Sequence, residues 1–147
     1  YEAILARAEH CDIFISAAAV ADYRPREVAP AKIKKWAAQT TLSLAPTADI
    51  LASVARLQRG PFTVGFAAET ERLLEHAGAK LRAKGVDMVA ANRVGAGVGF
   101  DAEDNALEVI WSDGGVSLPL ASKRKLAREL IEVIAERFHA KDSAQDS

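Results

Sequence analysis

The sequence predicts an α/β fold: a mostly parallel sheet with helices on both faces and an antiparallel hairpin at one edge. Three observations lead there. Apolar runs at 12–15, 62–68 and 86–91 read as buried strands. Segments with apolar residues every three or four positions separate them, the pattern of parallel strands covered on both sides. Near the end, two alternating runs flank Asp113-Gly114-Gly115, a hairpin signal.

Each element has its own reason. Residues 1–10 read as the back end of an amphipathic helix, with Ile4, Leu5 and Ala8 on one side. No Met opens the chain, and a strand follows at once. A helix feeding a strand has an earlier strand before it in an alternating sheet, so an upstream βα region is expected to be missing. Residues 11–19 form the first strand and its tip, and 20–31 a loop in which Pro25 and Pro30 rule out a stable helix. The lysine-rich stretch 32–39 is expected to be mobile unless an anion binds. Residues 41–44 alternate as a short half-buried strand.

Thr47 is placed to cap a helix that has Asp49 in its first turn and Ile50, Leu51, Val54 and Leu57 at helical spacing. Gly60-Pro61 ends it, and 62–68 is the clearest buried strand. Glu69-Thr70 opens the next helix, which runs to about Lys84 with Leu73, Leu74, Ala77 and Leu81 inward and Gly85 as its stop. Residues 86–91 give a strand with Asn92 at its tip, and 93–104 a glycine-containing loop. Strands follow at 105–111 and 116–120. Ser122 caps a last helix with Leu126, Leu130, Ile131, Ile134 and Phe138 inward. The architecture is thus Rossmann-like, a single domain over 1–139 with a polar tail at 140–147 expected to be disordered.

Composition narrows the function classes. A length of 147 fits one domain, and a net charge of −1 supplies no global basic field for nucleic acid. The single cysteine, Cys11, cannot form an internal disulfide, which suits a reducing compartment. It is read as starting a buried strand and inert. No apolar run reaches the roughly 18–20 residues of a membrane span, and no signal peptide is visible.

Chemistry is expected at strand ends, because ligands in open α/β sheets sit beyond the carboxyl ends of strands. The tip Ser16-Ala17-Ala18-Ala19 is small enough for a flat ligand to approach the main chain, and Asp22 beyond it can accept hydrogen bonds from hydroxyls. Lys32, Lys34 and Lys35 could meet a polyphosphate. Taken alone, the alanines are a packing feature and the lysines a solvated patch. At the second tip, Gly65 admits a close neighbour and Phe66 offers a flat face, or is simply core. Asn92 could bind a substrate or fasten its loop. Lys80 and Lys84 share a helix face, where two ammonium groups repel unless solvated or paired with anions. The helix start at Ala48-Asp49-Ile50-Leu51 is an anion or hydroxyl site, or an ordinary capped helix.

Other signals fail. Gly95-Ala96-Gly97-Val98-Gly99 is not GxGxxG and precedes a strand. No GxxxxGK[ST] loop and no GxSxG elbow occurs, and His10, His76 and His139 lack metal-ligand spacing. No protein metal site is predicted.

In combination these residues resemble a family: the phosphopantothenate–cysteine ligase (phosphopantothenoylcysteine synthetase) domain of the bacterial bifunctional coenzyme A biosynthesis protein. SAAAVADYRP at 16–25, KIKK at 32–35, TADIL at 47–51 and GFAAET at 65–70 carry the resemblance. KLRAKG at 80–85, AAN at 90–92 and DNAL at 104–107 extend it, in the family's order, so that it covers about 11–138.

The resemblance implies a cytoplasmic, magnesium-dependent ligase that couples 4'-phosphopantothenate to cysteine using CTP, through an acyl-cytidylate. It implies nucleotide contacts at Ser16, Ala17, Ala18, Asp22, Lys32, Ala48, Asp49, Ile50, Leu51, Phe66, Lys80 and Lys84. Lys32 is the residue expected to act on the acyl-cytidylate stage. Mg²⁺ would be held by the phosphates. FMN would belong only to the decarboxylase domain, absent here. A homodimer is implied, with 105–120 and 20–35 as candidate interface pieces.

The family's upstream glycine-rich part, with an SSG-type motif and an essential asparagine, is not in these residues. CTP binding without efficient turnover is therefore expected. A non-catalytic nucleotide-binding module and an ATP-using ligase remain alternatives, since no residue gives a physical reason for cytosine over adenine.

Overall fold

The computed structural model describes residues 1–34, 41–69, 71–94 and 103–145. Lys35, Thr70 and the glycine run 95–99 lie outside them. The chain forms two compact units, one of Tyr1–Ala17 with Ile50–Ser147 and one of Ala18–Asp49.

The larger unit is a five-stranded sheet. In chain order its elements are α1 (Glu2–Ala8), β1 (Ile13–Ser16), α2 (Ile50–Ala55), β4 (Phe62–Glu69), α3 (Leu73–Lys84), β5 (Met88–Arg93), β6 (Asp104–Trp111), β7 (Gly114–Ser122) and α4 (Lys123–Gln145). The strand order is β1-β4-β5-β6-β7. β1, β4 and β5 are mutually parallel, and β6 and β7 add the antiparallel hairpin at one edge.

Period-two alternation sorts the side chains of this sheet onto two faces. Ile13, Ile15, Phe62, Val64, Met88, Ala90, Leu107 and Val109 pack with Leu126, Leu130 and Ile134 of α4. Their neighbours Phe14, Ala67, Val89 and Ala91 pack with Leu51 of α2 and with Ala77 and Leu81 of α3. Helices therefore cover both faces, as the continuous apolar strands predict. Val64, Met88, Val89 and Val109 are fully buried, each worth about 1.5–3 kcal/mol of transfer free energy. Gly85 closes α3 at φ 65, and Ser122 Oγ accepts from the Lys125 N–H at 3.4 Å, so both expected caps form.

Ile131 and Leu74 depart from the expected apolar stripes, being 52% and 58% exposed. Residues 126, 130 and 134 form one i,i+4 row, as do 73, 77 and 81. Ile131 and Leu74 each lie about 100° round the helix from those rows. The hairpin turn also shifts: Trp111 pairs with Gly114, so Ser112-Asp113 makes the turn and both glycines belong to β7. Cys11 is exposed and precedes β1, correcting the expectation that it starts a buried strand.

The helix α4 runs through Gln145, where a disordered tail is expected from residue 140. Its last turns have partners far away in sequence. Lys141 Nζ donates to Asp87 Oδ1 at 2.6 Å, and Phe138 meets Phe62 edge-on with centroids 6.2 Å apart. Asp87 Oδ2 accepts from the Thr63 N–H and hydroxyl at 2.8 and 2.9 Å, while its own N–H donates to Thr63 Oγ1. Thr63, a buried polar residue, is thereby satisfied, and the amino ends of β4 and β5 are tied to α4.

The smaller unit holds a two-stranded antiparallel ribbon, β2 (Tyr23–Pro25) with β3 (Leu44–Pro46). β2 falls inside the expected loop, and β3 begins where the expected strand 41–44 ends. Thr47 N–H donates to Asp22 O and Arg26 N–H to Ser43 O, both at 2.9 Å. These bonds lie two residues either side of the Arg24/Ala45 pair. Pro25 and Pro46 fall on the alternate positions, where a ladder needs no N–H. Prolines that exclude a helix are thus compatible with this ribbon.

Candidate functional site

The carboxyl ends of β1 and β4 bring part of the predicted site together. Ser16, half-buried, ends β1 and lies opposite Gly65 of β4. The Ala17 N–H donates back to Ile15 O at 3.1 Å, a three-residue turn at the end of β1. Gly65 does admit a close neighbour. A Cβ there would lie 2.7 Å from Leu51 Cδ2, so the space is filled by α2. Ile50 and Leu51 open α2, and Leu51 is buried.

Phe66 and Lys80 meet directly: Lys80 Nζ donates to the Phe66 carbonyl oxygen. Both are half-buried. The Phe66 side chain packs against the α4-side core, which is the structural reading of that residue. The ammonium of Lys80 is held at the main chain of β4, three residues before its end at Glu69. Lys84 lies one turn further along α3, also half-buried, and has a partner of its own.

Ala18, Asp22, Lys32, Ala48 and Asp49 belong to the smaller unit and are exposed. There the Asp22 carbonyl accepts from Thr47. Thr47 does not cap α2 as expected. Its hydroxyl donates to Ala21 O at 2.6 Å, which extends the ribbon instead. Asn92 is half-buried within β5, opposite Ala68, rather than at a free tip.

The start of α3 differs from expectation and exposes two residues that sequence reasoning missed. Glu69 remains in β4, paired with Arg93, and its carbonyl accepts the Val94 N–H at 3.0 Å. The helix begins only at Leu73. Arg72 enters it at φ 50, ψ 42, left-handed backbone that costs a non-glycine residue about 1–2 kcal/mol. The Arg72 side chain makes no capping bond to this start. His76 Nδ1 instead lies 2.9 Å from Glu69 Oε2. Had the helix begun at Glu69, these two residues would lie two turns apart, roughly 10 Å along the axis, with no reason to pair.

With this geometry described, its relatives can be named. Residues 1–138 match the family described as DNA/pantothenate metabolism flavoprotein C-terminal domain. The chain belongs to that family. Among its curated relatives are two proteins called coenzyme A biosynthesis bifunctional protein CoaBC. That of Vibrio cholerae is 48% identical over 142 residues, covering 94% of this chain and 36% of the relative. That of Vibrio parahaemolyticus is 46% identical over 140 residues, covering 92% and 35%. The chain thus spans about a third of the length of these relatives. A crystal structure of the C-terminal domain of CoaBC superposes with a TM-score of 0.72 at 32% identity, over 96% of this chain and 61% of that one. The α/β fold read from the sequence matches that of the CoaBC C-terminal domain.

Proposed function

We propose that this chain is the ligase domain of coenzyme A biosynthesis, coupling 4'-phosphopantothenate to cysteine with CTP through an acyl-cytidylate. The observation that carries the reading is the pairing of Phe66 with Lys80 next to Gly65, which lies opposite Ser16 at the end of β1, in a chain whose relatives include CoaBC proteins. Strand tips of an α/β sheet are where a nucleotide is expected, and a cation there suits its phosphates.

In this reading Ser16, Ala17, Ala18 and Asp22 hold the nucleoside, and Ala48, Asp49, Ile50 and Leu51 lie along it. Phe66 flanks the base, while Lys80 and Lys84 face the triphosphate. Attack of the substrate carboxylate on the α-phosphorus forms the mixed anhydride and releases pyrophosphate. The cysteine amine then displaces CMP to give the amide. Negative charge grows on phosphate oxygens in the first step, and a fixed ammonium offsets it there. Lys32 is the proposed catalytic cation.

Among the described residues no group of three His, Cys, Asp or Glu could hold a metal. The donor set proposed for the triphosphate is cationic, so Mg²⁺ fits as an ion carried on the phosphates. FMN has no role in this step. The segment that completes the acyl-substrate site is proposed to come from the remaining length of the relatives.

Thermal denaturation tests the nucleotide half. With Mg²⁺ and CTP at about 100 times Kd, mass action adds ~2.7 kcal/mol, which raises Tm by about 5–10 °C in a chain of this size. ATP is expected to shift it less. A larger shift with ATP would favour the ATP-using relative, and no shift with any nucleoside triphosphate would end the nucleotide reading.

A homodimer is part of this proposal. In the smaller unit Val20, Tyr23, Val28, Ile33, Leu42 and Leu44 are all exposed, as are Val116 and Leu120 of the hairpin. Six exposed apolar side chains within Ala18–Asp49 offer a surface that a second copy could cover. Light scattering is expected to give twice the chain mass, and Val28→Asp with Ile33→Asp to lower it. A monomer at high concentration would count against the dimer. No helix among the described residues is long and apolar enough to cross a membrane, in keeping with the proposed cytoplasmic setting.

A further inference from the structure

The tip of β4 and the first turns of α3 are joined at two side-chain contacts, and only one involves an expected site residue. Lys80 Nζ reaches the Phe66 carbonyl, and His76 Nδ1 reaches the Glu69 carboxylate at 2.9 Å. The partners run in opposite order: 76 meets 69, and 80 meets 66. His76 and Lys80 are one turn apart, about 6 Å along the helix axis. Glu69 and Phe66 are three residues apart on the strand, about 10 Å. Ala77 and Leu81 seat α3 on the sheet, and two directional ties along it restrict its slide and tilt against β4 more than one alone.

The chain between these ties does not hold the arrangement by itself. Arg72 has left-handed backbone without being glycine, and its side chain caps no helix N–H. Such backbone persists where surrounding contacts over-determine it. The Arg72 guanidinium pairs with Glu75 at 2.5 Å, within the same turn, so it ties α3 to nothing beyond itself. At this end of α3 Leu73 and Ala77 pack on the core that holds Ala67 of β4, and the Glu69–His76 bond adds a directional polar tie back to the strand. An ionised carboxylate only accepts, so Nδ1 carries the proton.

We infer that Glu69 and His76 are positioning residues for the nucleotide site: their bond steadies α3 so that Lys80 stands at Phe66, beside the end of β1. This inference rests on the nucleotide reading above. The role asks only for a donor at His76 and an acceptor at Glu69. Asparagine at 76 places an amide nitrogen where Nδ1 stands, and glutamine at 69 keeps an acceptor oxygen.

The test uses the whole chain with His76→Ala, His76→Asn, Glu69→Ala and Glu69→Gln. Two readouts are taken: amide hydrogen exchange at 67–69 and 73–76 without ligand, and CTP affinity with Mg²⁺ by calorimetry. Each alanine variant is expected to speed local exchange and weaken CTP about fivefold, the scale of one lost hydrogen bond. His76→Asn and Glu69→Gln are expected to stay within about twofold of the parent on both. The double alanine variant is expected to be no worse than either single one.

Unchanged exchange in His76→Ala overturns the clasp. Conservative variants as impaired as alanine, or alanine variants with parental CTP affinity, overturn the positioning role. A parent chain that binds no nucleoside triphosphate would instead sink the nucleotide reading. The positioning role would fall with it, while the exchange measurements would still decide whether the clasp holds the tip.

Discussion

Lys32→Gln is expected to lower ligase turnover at least about 100-fold while leaving CTP affinity within a few-fold of the parent. The assay follows pyrophosphate and CMP release in a chain extended to the relatives' full span. Lys32 is exposed in the smaller unit, so its replacement disturbs no core. Its proposed task is to offset charge that develops in the transition state. Removing such a group lowers kcat more than it weakens ground-state binding. Glutamine keeps most of the side-chain length but carries no charge. If the amide-forming step suffers most, acyl-cytidylate will accumulate and can be trapped by rapid quenching. The competing module reading expects the reverse, with nucleotide affinity lost and no turnover in the parent. Parental turnover in Lys32→Gln would remove this residue from the chemistry.

Gly65→Val is expected to destabilise the fold by about 2–3 kcal/mol, because extra carbons in a packed core cost that much. Gly65 is buried in central β4 between β1 and β5, and even one Cβ would stand 2.7 Å from Leu51 Cδ2. Leu51 cannot simply swing away, since it is itself buried in the α2–α3 core. In a chain of this size the loss amounts to about 4–12 °C in Tm. Adding Leu51→Ala to Gly65→Val should recover part of it, because the clashing atoms are gone. A valine variant as stable as the parent would show that α2 packs elsewhere. Since Ser16 lies opposite Gly65, the variant should also weaken CTP more than its stability loss alone explains.

Much of this fold is legible in the sequence where apolar runs are long. Residues 62–68 and 86–91 could be little else than buried strands, and Gly85 could be little else than a helix stop. The errors cluster where a local signal had a distant competitor. Thr47 carries a capping hydroxyl, but Ala21 O, twenty-six residues earlier, takes it. Lys141 looks like part of a polar tail until Asp87 is seen beside it. Glu69 suits a helix start by type, yet pairing with β5 holds it in the strand.

The candidate site was legible in the same uneven way. The Phe66, Lys80 and Gly65 positions follow from motif order, and the structure places them together in the larger unit. Gly65 serves helix packing, a use that sequence alone does not separate from ligand approach. His76 lacks metal-ligand spacing in the sequence, and its pairing with Glu69 depends on a helix boundary that no local signal marks.

The Asp87–Lys141 bond also bears on how the molecule is handled. It anchors the last turns of α4 beside the amino ends of the parallel strands, while Ser16 and Glu69 lie at their opposite ends. A biosensor surface that captures the protein through the end of α4 would therefore grip the sheet at the ends of the parallel strands remote from Ser16 and Glu69.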